Sequence, residues 1–98
     1  MTQFERRMGC TSADLVRWLP QALGNLYPST TLQIDGRVLK EADHPQLQIF
    51  GTSQPVRKIA LLEIPVLHLR LEFSEGGTRD DCEAALKRFD LYTRRGGG

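Results

Sequence analysis

Between Leu67 and Phe73 the chain alternates without a break: Leu67, Leu69, Leu71 and Phe73 form one set, His68, Arg70 and Glu72 the other. A strand sends successive side chains to opposite faces, so the two sets separate completely. Seven such residues describe a ribbon with one face on a hydrophobic core and the other on water. That is the pattern of an antiparallel sheet covered on one side. Other segments must roof the apolar face.

Two segments are suited to that task. Thr11-Ser12-Ala13-Asp14 is a capping box: the Thr11 hydroxyl accepts a backbone N–H while the Asp14 carboxylate reaches back to the cap. Leu15, Trp18, Leu19, Ala22, Leu23 and Leu26 follow at helical spacing and make one apolar stripe. Pro20 lies inside the stripe and removes the bond to the Val16 carbonyl, which predicts a bend or restart. Gly24-Asn25 supplies the stop. Thr78-Arg79-Asp80-Asp81 is a second capping box, followed by Cys82, Ala85, Leu86 and Phe89 along one side of a helix. Lys87, Arg88, Arg94 and Arg95 crowd its last turns, where cations complement the helix dipole. Gly96-Gly97-Gly98 reads as a flexible tail.

The rest of the chain reads as strands. Residues 3–8 place Phe4 and Met8 opposite Glu5 and Arg7. Asp35-Gly36 between Thr31–Ile34 and Arg37–Lys40 signals a two-residue hairpin, because a type I′ turn needs positive φ at both central residues. That register sets Leu32 opposite Leu39. Leu47 and Ile49 mark a half-buried strand, Gly51 to Pro55 a loop, Val56 to Leu62 a further strand, and Glu63-Ile64-Pro65 a turn, bulge or edge. The fold class expected is α+β: an antiparallel sheet of five to six strands with both helices on one face, in the order β-α-β(4–5)-α. Residues 1–98 suffice for one domain, and Leu, Ile, Val and Phe together supply 26 of the 98 residues, enough for one core. The element order resembles that of TATA-binding-protein repeats and helix-grip domains. This resemblance is topological and implies architecture, not activity.

Charge narrows the function classes. Thirteen basic residues against 12 acidic ones argue against nucleic acid or an anionic membrane as partner. The greasiest stretch, Ile59 to Phe73, is interrupted by Glu63, Pro65, His68 and Arg70, too polar for a membrane span. Charge at Glu5, Arg6 and Arg7 stands where a secretory signal needs apolar residues. Cys10 and Cys82 are the only cysteines, too sparse for a disulfide scaffold, so a reducing cytoplasm is the expected setting.

Candidate chemistry is sparse. Cys10 stands just before a helix N-cap, where backbone N–H groups can lower a thiol pKa, and is the candidate reactive thiol. No general base for it is evident, and a small buried side chain is the structural alternative. His44 and His68 lack Cys, His or carboxylate partners at metal-ligand spacing, so no metal is expected. No phosphate loop, nucleophile elbow or other cofactor signature occurs, so no cofactor and no catalytic residue are assigned. Leu62 and Ile64 have opposite parity to Ile59 and Leu61. Read as one strand, this leaves apolar groups outside the core beside His68, Arg70 and Glu72 on the open sheet face.

Both ends of the chain carry resemblances. Met8-Gly9-Cys10-Thr11 through Leu19-Pro20, and Arg88-Phe89-Asp90-Leu91-Tyr92 through Gly98, resemble segments of small bacterial proteins of similar length to which no activity is attached. Arg94-Arg95-Gly96-Gly97-Gly98 resembles the tail of ubiquitin-like proteins and bacterial sulfur carriers, which implies a carboxylate activated by an ATP-dependent enzyme. Here the tail follows a helix instead of a strand, and has three glycines instead of two.

The function expected is therefore a non-enzymatic interaction module that binds itself as a homodimer, or another protein, through its open sheet face. The alternatives are a ligand pocket between the sheet and the bent first helix at Trp18 and Pro20, and a carrier acting through its glycine tail.

Overall fold

In the computed structural model, residues 2–74 and 77–93 are described. They form β1 (Thr2–Met8), α1 (Ser12–Leu23), a 3-10 turn (Gly24–Ser29), β2 (Thr30–Ile34), β3 (Arg37–Lys40), β4 (Leu47–Ile59), β5 (Leu62–Phe73) and α2 (Arg79–Thr93). The protein is α+β, with a five-stranded sheet in the order β1-β5-β4-β2-β3.

Both helices begin at the expected caps. Thr11 Oγ accepts from the Asp14 N–H at 3.1 Å while Asp14 accepts from the Thr11 N–H at 3.3 Å. Thr78 and Asp81 repeat the reciprocal pair at 3.0 and 3.4 Å. α1 runs through Pro20 to Leu23 without a restart, and the proline is solvent-exposed. One missing N–H on the outer side leaves Leu15, Leu19, Ala22 and Leu23 buried below it.

The helices share the face of the sheet that carries Leu67, Leu69, Leu71 and Phe73. Those four pack in one cluster with Leu15 and Leu19 of α1, Leu86 and Phe89 of α2, and Leu32, Leu47 and Ile49. Gly51 belongs to that inner face: a Cβ there would come within 3.0 Å of Ile34 and 3.1 Å of Leu69.

Three sequence expectations are corrected. The sheet is mixed, not purely antiparallel, because β4 pairs with β2 in parallel, Thr30 against Leu47 through Ile34 against Gly51. The chain leaves the edge strand β3, passes the start of β2 through residues 41–46, and enters the sheet on its other side; the Gln46 N–H donates to the Ser29 carbonyl at 2.7 Å. The sheet's five strands fall within the expected five to six, but their bounds differ. Residues 51–55 are strand instead of loop, so Leu47 to Ile59 is continuous, and Ala60-Leu61 is a two-residue turn within the segment read as one strand. Third, Leu32 pairs with Lys40, not Leu39, since a register shift follows the expected Asp35-Gly36 turn (φ 52° and 80°).

Candidate functional site

The β4–β5 ladder outruns its neighbours. β1 pairs with β5 only from Phe73 to Leu67, and β2 pairs with β4 only from Leu47 to Gly51. Gln54 to Val66 therefore project as a two-stranded arm, in a molecule 46 Å long and 21 Å across its thinnest axis. Pro55 and Pro65 meet where the register shifts: Gln54 faces Val66 and Arg57 faces Ile64, so Pro55 and Val56 together oppose Pro65. Proline lacks the N–H a central ladder requires and is tolerated at such a bulge.

The arm is two-sided. Cross-strand partners share a face, so Ile59 with Leu62, Arg57 with Ile64, and Gln54 with Val66 lie together, in line with His68, Arg70 and Glu72. The other face carries Lys58 and Glu63, paired at 3.8 Å. The apolar groups near the tip are wet, whereas Val66 at the base is buried. Leu61 is 101% exposed, Leu62 66%, Val56 49% and Ile59 45%. Ala60 at the tip has φ +54°, a value an L side chain rarely adopts.

Each expected site residue has a place. Leu62 and Ile64 stand on the arm and share the β5 face of His68, Arg70 and Glu72. They do so through the two-residue period of β5, and because a turn, not a continuous strand, separates them from Ile59, that residue lies on their side. His68 Nε2 meets Glu5 Oε1 of β1 at 3.1 Å. Arg70 bonds Glu72 and lies 4.7 Å above the ring of its cross-strand partner Phe50. These contacts tie the open face of the sheet into local pairs. Ile59 and Leu61 were missed as members of the site. The available signal was the near-symmetric placement of Pro55 and Pro65 about Ala60-Leu61.

Cys10 is buried, and burial, with Asp14 nearby, pushes its thiol up to about 11. The N-terminus of α1 does not offset that desolvation, so the thiolate required of a nucleophile is disfavoured. Trp18 packs against the core and Pro20 faces solvent; neither lines the grooves at the end of α1, beside Cys10 or beside β3. A groove of about 1020 Å³ lies instead between the end of α1 and the start of α2 and is lined by Leu26, Phe73, Asp81, Cys82 and Arg88. Its charged groups are engaged: Asp81 caps α2, and Arg88 donates twice to the Gln21 carbonyl at 2.9 and 3.1 Å. No cluster of three metal-ligating side chains occurs among the described residues, nor does any described helix have the length and apolarity to cross a membrane. The glycine tail, Gly96 to Gly98, with Arg94 and Arg95, lies outside the described residues.

Comparisons with family models, with curated proteins and with solved structures find no match to this chain.

Proposed function

We propose that this protein is a non-enzymatic interaction module that self-associates through the apolar face of the β4–β5 arm. The observation that carries the reading is the trio Ile59, Leu61 and Leu62, between 45% and 101% exposed at the end of a two-stranded ribbon, with Ile59 and Leu62 on one face. An isolated ribbon of this kind is marginal in water. Covering its apolar side removes roughly 0.8 kcal/mol of unfavourable hydration per buried CH2.

The face, not the edge, is the contact surface. The Asp35 carboxylate occupies the β4 margin just beyond β2, accepting from the Ser53 N–H at 2.8 Å and from the Ser53 hydroxyl at 2.6 Å. Next along that strand comes Pro55, with no N–H to donate, and Pro65 interrupts the opposite margin. Prolines and satisfied amides are how sheet edges resist adding a strand.

The finer fold reading, an arrangement like TATA-binding-protein repeats or helix-grip domains, is supported by the element order β-α-β4-α. The parallel β2–β4 pair weighs against it. A cytoplasmic setting accords with the two free, buried cysteines.

Thermal unfolding across a hundredfold range of protein concentration tests self-association. A dimer raises its Tm by several degrees over that range, and the Leu62→Ser variant loses the dependence. A Tm independent of concentration in the unaltered protein overturns the reading.

A further inference from the structure

We infer that the two copies meet with their two-fold axis along the β4–β5 ladder, so that the arms lie parallel, tip beside tip, and the open faces of the two sheets cover one another. The inference rests on the self-association just proposed and specifies its partner and geometry. A closed two-fold contact must be self-complementary. Residues of the open face fall into rows across the sheet, and an axis along the ladder returns each row to itself, exchanging β5 with β4 and β1 with β2.

The pairs this produces fit. Leu62 of one copy comes over Ile59 of the other, and Ile64 over the aliphatic stem of Arg57. His68 meets Thr52, while Val66, already buried within its own chain, lies in the row of Gln54. Arg70 comes over Phe50, the ring it already stacks upon within its own chain, and Glu72 over the Gln48 amide. Glu5 on β1 is carried over Gln33 on β2, since both stand in the row of Arg70 and Phe50. No like charges oppose one another.

The competing two-fold, across the strands, fails on matching or on area. Centred on the ladder it sets Leu62 and Ile64 over Glu72 and Arg70; centred on the arm it sets Arg57 over Arg57. Arm against arm alone covers roughly 20 by 10 Å, whereas including the body of the sheet gives about 600 Å² per copy, from strand rise and spacing; stable interfaces take roughly 600–1,000 Å² per partner.

The test is a spin label on Ala60→Cys at the exposed tip, in the full chain. Cys10 and Cys82 are buried, and mass spectrometry verifies a single label. Sedimentation of the labelled protein precedes the distance measurement. A dimer in which this label, and in a second variant one on Ser74→Cys, exposed just past the far end of β5, each give roughly 15–25 Å, set by the ~10 Å spacing of packed sheets plus two linkers, supports parallel arms. A dimer in which either distance exceeds that range overturns the geometry but not the self-association, since antiparallel copies carry at least one pair of ends apart at ~3.3 Å per residue. A labelled monomer, checked for native fold by circular dichroism and matched by a monomer without the substitution, overturns both.

Discussion

Arg6 of β1 and Asp90 of α2, 84 residues apart, form a two-pronged contact, Nε to Oδ1 at 2.9 Å and a terminal N–H to Oδ2 at 3.1 Å. It ties the last helix to an edge strand of the sheet. The hydrogen bonds that Arg6 donates to the Asp90 carboxylate raise the Arg6 pKa, so the guanidinium stays charged. Both side chains are about one-third exposed, which keeps the contribution modest. Asp90→Asn retains the shape and removes the charge; we expect a loss of about 0.5–1.5 kcal/mol in urea unfolding, shrinking in high salt.

Gly51 owes its identity to space. A methyl group at 3.0 Å from Ile34 and 3.1 Å from Leu69 forces two core side chains of the inner face to move. Gly51→Ala is expected to destabilise by about 1–3 kcal/mol, read from the denaturation midpoint with the m-value unchanged.

The Asp35 carboxyl lies below its ordinary value because the Ser53 hydroxyl and amide hydrogen-bond its ionised form. A group whose folded pKa is depressed contributes stability that is complete above the unfolded carboxylate range and lost as pH falls through the folded value. Asp35→Asn keeps a residue tolerant of the positive φ of this turn and removes the titration. We expect the variant to lose part of the acid-side fall in stability, and carbon-detected NMR titration of Asp35 to show a midpoint below that of a free aspartate. A normal midpoint would disprove the latch.

Ala60 at φ +54° occupies the first central position of a two-residue turn whose second residue has negative φ, the pattern of a type II′ turn and normally a glycine site. Ala60→Gly is expected to relieve about 1 kcal/mol of backbone strain. Slower amide exchange at Ile59 and Leu62 would report it.

That alanine also explains where the fold escaped the sequence. Thr11 with Asp14, Thr78 with Asp81, the Asp35-Gly36 turn and the Leu67–Phe73 alternation are local signals, and each acts within a few residues of itself. The arm tip carries no glycine or asparagine, so its turn was hidden in an apolar run, while Gly51 and Pro55 imitated a loop inside a strand. The parallel β2–β4 pairing depends on how residues 41–46 pass the start of β2, a tertiary outcome with no local motif. Leu62, Ile64, His68, Arg70 and Glu72 were legible as a set through β5 periodicity, although the turn at Ala60-Leu61 and the role of Ile59 were not.

Sedimentation equilibrium of the unaltered chain beside an Ile59→Ser, Leu62→Ser variant tests the arm most directly. We expect a mass about twice 11.1 kDa at tens of micromolar for the former and a single-chain mass for a variant that circular dichroism shows to be folded. A mass of 11.1 kDa for the unaltered chain throughout that range, or a dimer that survives both substitutions, would contradict that expectation.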